Sequence, residues 1–175
     1  ERGRPVPAID HALKTGDLDE AVALLQGHAP RLLEQGRGRL LVRWMDPLVE
    51  RGALDPHLML RVVHAWAVCF SCGVRHAWGL LEFLERAVTD DPQVLAHRLV
   101  MRPLLLALMD RIDEADPMGH AVLDQLPHDA TFAFARGMLE ITLANVSMYS
   151  GRYHQALRLV DAVRSRQPVQ DGQLG

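Results

Sequence analysis

The stretch YSGRYHQA, residues 149–156, shows the turn pattern on which the fold depends. It ends one apolar segment, turns at a glycine and starts the next segment near a small alanine. TGDLDEA at residues 15–21 and SCGVRHA at residues 71–77 have the same form. Glycine is suited to the left-handed residue that ends a helix, and alanine lets two helices approach closely at the bend. Each stretch therefore predicts a tight turn between two antiparallel helices.

The segments between these turns have the periodicity of α-helices. Apolar residues recur at helical spacing, as in Leu139, Leu143 and Val146, and strict alternation over the length of a strand is missing. An aspartate caps a helix start and a proline suits the first helical position, so Asp-Pro pairs mark helix starts. The helix starts predicted in this way lie at residues 55–56, 91–92, 116–117 and, without proline, 129. Pro47 and Pro103 fall inside apolar runs and predict a helix end or a kink.

The resulting pattern predicts an all-α fold. The predicted helices cover residues 7–15, 18–34, 37–50, 56–71, 75–89, 92–109, 117–126, 130–150 and 153–166. Gly73 and Gly151 are 78 residues apart, twice 39, and a glycine-free turn at residues 109–115 lies midway. A two-helix repeat of this length is typical of a tetratricopeptide-like α-solenoid, here of about eight to nine antiparallel helices.

The domain organisation follows from the same pattern. We predict a single helical-repeat domain over residues 1–175, with ordered helices at about 8–166 and a linker at 167–175. Both ends have the composition of linkers. We therefore expect the chain to be a segment of a longer, multidomain protein.

Composition and charge exclude several classes of function. The 19 basic and 22 acidic residues leave a net charge of −3, which gives the domain no electrostatic attraction to nucleic acid or to an anionic membrane. No apolar run approaches the length of a membrane span, and no signal peptide is present, so we predict a cytoplasmic protein. The only lysine, Lys14, lacks the glycine-rich approach of a phosphate-binding loop. No nucleophile–base arrangement is visible either, so we predict no enzyme activity and no cofactor.

Four potential metal ligands surround one of the turns. They are His64, Cys69, Cys72 and His76. His64 and Cys69 lie five residues apart, about 140° around a helix, so they do not easily face one ion. A free cysteine also packs as a small hydrophobe. We favour a structural role for this segment, with zinc binding and redox use of the CxxC as the alternatives.

Parts of the chain resemble a known family of transcription regulators. The matching residues are Ala12, Gly16, Asp17, Ala21, Leu24 and Leu25, then Gly36, Arg37, Leu40, Arg43, Trp44 and Met45, then Leu58, Ala65, Trp66, Ala67, Phe70, Ser71, Gly73 and Ala77. The Arg-Trp pair followed by an Ala-Trp-Ala helix is the most specific part. Together these residues resemble the helical-repeat segment of MalT-like, LuxR-type ATP-dependent transcription regulators, over roughly residues 8–165.

The resemblance implies a function in signal sensing. In that family an ATPase domain precedes the repeat segment and a helix-turn-helix follows it, and the repeats receive a small-molecule inducer or a regulatory protein. It implies that this chain transmits the signal to other domains of the same polypeptide, with no direct contact to nucleic acid or membrane. The alternative is a free-standing tetratricopeptide-like scaffold that binds proteins and no small ligand.

Polar residues on the first helix of each pair are the candidate binding residues, because those helices line the concave face of a solenoid. The candidates are Arg61, Arg98, Arg102, Arg136 and Asn145. Arg98 and Arg102 are four residues apart and predict a shared face that binds an anion or a carboxylate. Salt-bridged or solvated arginines are the alternative. The three tryptophans predict core packing rather than ligand stacking.

Overall fold

The structure is a computed structural model that describes residues 5–166 of the chain. These residues form nine α-helices and one short 3-10 turn, and they contain no β-strand, which confirms the all-α prediction. The elements are α1 (Pro5–Thr15), α2 (Leu18–Glu34), α3 (Gly38–Glu50), α4 (Leu58–Cys72), α5 (Val74–Arg86), α6 (Pro92–Leu108), α7 (Ile112–Gln125), the 3-10 turn (Ala130–Phe132), α8 (Ala133–Tyr149) and α9 (Tyr153–Arg166). The linker predicted at residues 167–175 lies outside the described residues.

Left-handed residues end several of these helices, as the turn pattern predicts. Gly16 and Gly151 have φ angles of 78° and 73°. After Gly151, the N–H of Arg152 donates to the carbonyl of Ser147 at 2.8 Å, while the N–H of Gly151 donates to Met148 at 3.0 Å. This pair of bonds is the Schellman motif, which satisfies two carbonyls at the end of a helix.

The glycine-free turn predicted at residues 109–115 has the same backbone geometry. Asp110 has a φ of 61°, and no other non-glycine residue in the described range has a positive φ. The N–H of Arg111 donates to Leu106 at 2.9 Å, and that of Asp110 donates to Ala107 at 3.1 Å. Aspartate tolerates this conformation better than most residues do. The turn is therefore a Schellman motif in which aspartate replaces glycine.

Gly73 makes a different kind of turn. Its φ of 100° and ψ of 164° lie outside the left-handed helical region. Gly73 is both the last cap of α4 and the first cap of α5, so that no other residue separates these two helices. Its own N–H donates to the carbonyl of Val68 at 3.1 Å. The SCGVRHA stretch thus joins two helices, as predicted. Gly73 alone separates them, and its backbone does not have the left-handed helical conformation that the glycine pattern predicts.

The Asp-Pro predictions hold at one position and fail at two. Asp91 caps α6, because its Oδ1 accepts the N–H of Gln93 at 2.8 Å and Pro92 is the first helical residue. In contrast, α4 begins after His57, and Asp55-Pro56 lies in the preceding turn. Asp116-Pro117 lies inside α7, which starts at Ile112 because the Asp110 turn already restarts the chain as a helix.

The remaining helix signals are also mixed. Asp129 does cap a start, that of the 3-10 turn, by accepting the N–H of Thr131 at 2.9 Å. Pro47 and Pro103 do not end their helices, since α3 and α6 continue past them to Glu50 and Leu108. Burial of the surrounding apolar residues stabilises these helices, which outweighs the hydrogen bond that each proline removes.

The chain folds as two compact units, Glu1–Arg98 and Leu99–Gly175, with the boundary inside α6. In the N-terminal unit, α3 packs closely on α4 because Gly38 has no side chain. A Cβ at Gly38 would lie 2.8 Å from the Ser71 hydroxyl oxygen and 3.5 Å from the Ala67 carbonyl oxygen. In the same unit Asp10 links α1 to α3. Its Oδ1 accepts hydrogen bonds from Trp44 Nε1–H at 2.7 Å and from Arg43 Nη2–H at 3.1 Å.

The C-terminal unit contains a similar close helix pair. Gly119 of α7 is buried against α8, and a Cβ there would lie 2.8 Å from Cδ2 of Leu143. The start of α9 is joined to α7 by an ion pair in which Arg152 Nη2 lies 2.7 Å from Asp116 Oδ2. Asp116 therefore binds α9 instead of capping the start of α7.

The turn geometry predicts opposite effects for one substitution at two glycines of the same unit. Gly151→Ala places a side chain at a φ of 73° and should lower the free energy of unfolding by about 1 kcal/mol. Gly137→Ala, inside α8 with no atom within 4 Å of the new Cβ, should raise it by about 0.5–1 kcal/mol. Urea unfolding of both variants measures this. Equal signs for the two changes would contradict the turn assignment.

Candidate functional site

Arginines lie near the start of three helices at similar spacing along the chain. Arg61, Arg98 and Arg136 are separated by 37 and 38 residues, and each lies in the first two turns of α4, α6 or α8. All three are candidate binding residues on the sequence. In the structure Arg98 and Arg136 cap the ends of the preceding helices, whereas Arg61 does not.

Arg98 satisfies the end of the helix before it. Its Nη2 donates to the carbonyl of Glu85 at 2.7 Å, and its Nη1 donates to that of Ala87 at 3.1 Å. Helix α5 ends at Arg86, and the following Ala87 is extended, with φ −69° and ψ 130°. An extended ending forms no Schellman motif, so these carbonyls need another donor. Arg98 supplies it and acts as a structural cap.

Arg136 does the same for α7. Its Nη1 donates to the carbonyl of Leu126 at 2.9 Å, where the chain is again extended, with φ −73° and ψ 130°. Its Nε also lies 3.3 Å from Oε1 of Glu140, a carboxylate that is only 3% exposed. Removing one partner of a buried ion pair weakens the compensation of the remaining charge. Arg136 therefore stabilises the C-terminal unit, in agreement with the salt-bridge alternative.

Arg61, in contrast, does not cap the end of the helix before it. The helix before it, α3, ends in a Schellman motif in which Ala53 N–H and Gly52 N–H donate to Leu48 and Val49, each at 2.9 Å. These carbonyls are satisfied by the chain's own backbone. The guanidinium of Arg61 consequently has no helix end to cap.

The environment of Arg61 is buried and leaves a donor unused. The side chain is 7% exposed, and its Nη1 has no hydrogen-bond partner among the described residues. Its carbon Cζ lies 4.2 Å from the ring centroid of Phe83, a cation–π contact. The nearest carboxylate oxygen, Oδ1 of Asp55, is 3.9 Å from Nη1. Burial lowers the pKa of Arg61, and Asp55 only partly opposes this.

His64 lies one helical turn after Arg61 and is also buried. Its Nε2 donates to Oδ1 of Asp46 on α3 at 2.7 Å. Its Nδ1 is buried and has no partner within the part of the chain that the structure describes. Burial lowers the pKa of His64, more than the hydrogen bond to Asp46 raises it, so the ring is neutral at pH 7. Arg61 and His64 thus each have a buried side-chain nitrogen atom without a hydrogen-bond partner among the described residues.

Arg102 and Asn145 differ from these three arginines. Arg102 is half-buried on α6, and Asn145 is exposed on α8. The guanidinium of Arg98 is engaged with backbone carbonyls, so the anion clamp predicted for Arg98 and Arg102 would require Arg98 to leave the end of α5. The binding roles of Arg102 and Asn145 stay predictions.

The tryptophans of the resemblance motif lie in the core, as predicted. Trp44 and Trp66 are 2% and 0% exposed. Trp66 Nε1–H donates to Nδ1 of His97 at 3.1 Å, so this nitrogen is unprotonated in the folded state. Burial lowers the pKa of His97 to about 4. Trp78 is half-buried, and its Nε1–H donates to Oε1 of Glu82 at 3.0 Å. The core prediction is therefore confirmed for Trp44 and Trp66 but not for Trp78, and the sequence did not predict the partners of the three N–H groups.

The four potential metal ligands are not gathered at one point. Within residues 5–166, no group of three or more His, Cys, Asp or Glu side chains is arranged to hold a metal ion. Cys69 is buried, which raises the pKa of its thiol to about 11, while Cys72 is exposed. A reactive cysteine needs a lowered pKa, so Cys69 has the character of a packing residue. His76 makes a local contact, with Nδ1 3.2 Å from the carbonyl of Cys72.

Comparison with protein-family models, with curated proteins and with solved structures finds no match to this chain. Among the described helices, none combines the length and apolarity needed to cross a membrane.

The buried His97 predicts a loss of stability in acid. Its pKa is about 4 in the folded protein and about 6.5 in the unfolded chain. Both states are neutral at pH 7, but between pH 6.5 and 4 only the unfolded state takes up the proton. The free energy of unfolding should therefore fall by up to about 3 kcal/mol as the pH drops to 4.

Urea unfolding of wild type and His97→Gln between pH 7 and 4.5 measures this effect. The glutamine amide oxygen can still accept Trp66 Nε1–H without taking up a proton, so the variant should lose less stability in acid. His154→Gln, at an exposed histidine on α9, controls for the loss of a histidine as such. A pH dependence in His97→Gln as steep as in wild type would contradict the assignment.

Proposed function

We propose that this chain is the sensing segment of a MalT-like, LuxR-type transcription regulator. In this proposal its tetratricopeptide-like repeats bind a small-molecule inducer or a regulatory protein. The conformational change caused by binding is transmitted to an ATPase domain and to a DNA-binding domain of the same polypeptide. The chain itself performs no catalysis and contacts no nucleic acid. The proposal rests on the resemblance over residues 8–165 and on the all-helical architecture.

The observation that carries ligand binding is the buried, unused donor of Arg61. Arg98 and Arg136 bind backbone carbonyls, and Arg136 Nε, which makes no hydrogen bond, lies 3.3 Å from Oε1 of Glu140. Arg61 Nη1 has no hydrogen-bond partner among the described residues, and Oδ1 of Asp55 is 3.9 Å away. A ligand oxygen that accepts from Arg61 would remove the cost of leaving this donor unsatisfied. Asp46 and Asp55 lie nearby, so a polar, uncharged oxygen such as a hydroxyl or a carbonyl fits better than a second anion.

The proposed sensor can transmit a signal only if its ligand binds two conformations of the chain with different affinities. An inducer shifts a conformational equilibrium only by the difference between its affinities for the two states. Arg61 on α4 and Phe83 on α5 belong to the two helices joined at Gly73. A ligand held by Arg61 would therefore favour one arrangement of this helix pair over another.

A free-standing tetratricopeptide-like scaffold for protein interaction is the second candidate. Exposed large apolar side chains on α9 favour it, because surfaces of this kind bind proteins more readily than small polar molecules. In that case no small molecule stabilises the chain.

Thermal unfolding against a panel of polar metabolites separates the two candidates. The sensor proposal predicts a compound that stabilises wild type, by about 2.7 kcal/mol at a hundredfold excess over its Kd. The same compound should fail to stabilise Arg61→Met. Arg75→Met, at an exposed arginine on α5, is the matched control and should respond as wild type does. A compound that stabilises all three proteins equally would contradict the role of Arg61, and a panel without any effect favours the scaffold.

The regulator identity has its own test in the reading frame around this segment. An upstream Gly-x-x-x-x-Gly-Lys-[Ser/Thr] motif and a downstream basic helix-turn-helix would support the proposal. A frame that encodes neither would contradict it.

A further inference from the structure

Four exposed arginines lie at one end of the N-terminal unit. Arg31 belongs to the last turn of α2, and Arg37 and Arg39 lie on either side of the first residue of α3. Arg75 lies in the first turn of α5. We call these four residues the arginine cluster. None of their side chains forms an ion pair or a hydrogen bond with another described residue.

Two backbone contacts bring the segments of the cluster together. The end of α2 is joined to the start of α3, because the N–H of Arg37 donates to the carbonyl of Leu32 at 2.9 Å. The start of α3 packs on the end of α4, where a Cβ at Gly38 would lie 2.8 Å from the hydroxyl oxygen of Ser71. Ser71 is three residues before Val74, the first residue of α5. The four arginines therefore belong to one continuous surface.

The cluster is a local excess of positive charge in a chain whose net charge is −3. Glu34 is the only acidic residue in the segments 34–39 and 71–76, which form the two turns. The N-terminus of a helix has a positive partial charge, so arginines at the starts of α3 and α5 are repelled by these helices as well as by one another. Carboxylates of a binding partner would offset this repulsion.

The same unit has exposed carboxylates at the opposite end of α2. Asp17, Asp19 and Glu20 follow the Gly16 turn and are all exposed, and we call these three residues the acidic turn. Asp17 Oδ1 accepts the N–H of Glu20 at 3.0 Å, but Asp19 and Glu20 form no ion pair with a described residue. Lys14 lowers the charge of this region without neutralising it.

Within one molecule the acidic turn cannot reach the arginine cluster. Helix α2 has 17 residues, which at about 1.5 Å per residue places its ends about 25 Å apart. Charges of opposite sign are thus exposed at the two ends of one helix without partners. A second copy of the chain can bring the two surfaces into contact, and each would supply the charge that the other lacks.

We propose that the arginine cluster of one molecule binds the acidic turn of a second copy of this chain. The contact is head to tail, so it leaves one cluster and one acidic turn unoccupied in a pair of molecules and can continue to further copies. Exposed ion pairs are weak and screened by salt, so the association is reversible and strongest at low ionic strength. The proposal rests on the N-terminal unit alone and holds for either candidate function.

Sedimentation velocity of the 175-residue protein over a range of concentrations provides the first test. At an ionic strength of about 0.01 M, where the Debye length is about 30 Å, the mean sedimentation coefficient should rise with protein concentration. At about 1 M, where the Debye length is about 3 Å, the protein should be monomeric.

Charge reversal on each surface tests which residues make the contact. The cluster variant carries Arg37→Glu and Arg39→Glu, and the turn variant carries Asp19→Arg and Glu20→Arg. Each variant alone should associate about tenfold or more weakly than wild type, because like charges then face each other. All four positions are exposed, so both variants should fold, and circular dichroism checks this.

An equimolar mixture of the two variants is the decisive sample. The intact arginine cluster of the turn variant faces the intact acidic turn of the cluster variant, and the two reversed surfaces are also complementary. The mixture should therefore associate although neither variant does so alone. A control with Arg158→Glu and Arg164→Glu, two exposed arginines of α9, has the same net charge as the cluster variant and should associate as wild type does.

Four results would overturn the proposal. Wild type that stays monomeric at low ionic strength up to about 1 mM has no such contact. Association that the cluster variant retains, or that the α9 control loses to the same extent, would assign the contact to another surface or to net charge. A mixture that stays monomeric would show that the two surfaces do not bind each other. Monomeric wild type that binds a polyglutamate peptide through the cluster would assign this surface to an acidic segment of another protein.

Discussion

Every α-helix leaves backbone carbonyls unsatisfied at its C-terminus, and most of the helices in the described part of this chain satisfy them in one of two ways. Some helices, such as α3, α6 and α8, end in Schellman motifs at Gly52, Asp110 and Gly151. Others, α5 and α7, end in extended residues and receive donors from arginines of the next helix. The way in which each helix ends therefore decides whether the arginine at the repeated position is structural. Arg61 follows a helix that already caps itself, and this leaves its guanidinium buried with a free donor.

The sequence predicted the helices well because glycine turns and apolar periodicity are local signals. It was wrong where a local signal was overridden by tertiary packing. The helix ends predicted at Pro47 and Pro103 are absent, since burial of neighbouring side chains stabilises the helix around them. Asp116-Pro117 lies inside α7 for a different reason, because the Asp110 turn already restarts the chain as a helix. The turn at Asp110 was predicted, but its aspartate in a left-handed conformation was not, because this role is usually filled by glycine.

The candidate site was only partly predictable. Polar interruptions in apolar helices pointed to Arg61, Arg98 and Arg136. The same pattern, however, occurs for an arginine that caps a helix end and for one whose guanidinium keeps an unbonded donor. The distinction depends on the extended backbone of Ala87 and Leu126 and on the left-handed φ of Gly52, and only Gly52 has a signal in the residue type. The segment with His64 was predicted to be structural, with zinc binding as an alternative, but the partner of His64 was not predicted, because Asp46 lies 18 residues away in the chain, on another helix. The residues that carry the resemblance, such as Trp44 and Trp66, are core residues, so they report on fold more directly than on ligand.

The most direct measurement compares Arg61→Met, Arg98→Met and Arg136→Met by urea unfolding at pH 7. Loss of the caps should lower the free energy of unfolding by about 2–3 kcal/mol in Arg98→Met and by about 3 kcal/mol or more in Arg136→Met, which also leaves Glu140 buried. Arg61→Met should stay within about 1 kcal/mol of wild type, because methionine replaces a buried charge that makes few bonds. A loss in Arg61→Met as large as in the other two would show that Arg61 is a structural residue and would contradict the account.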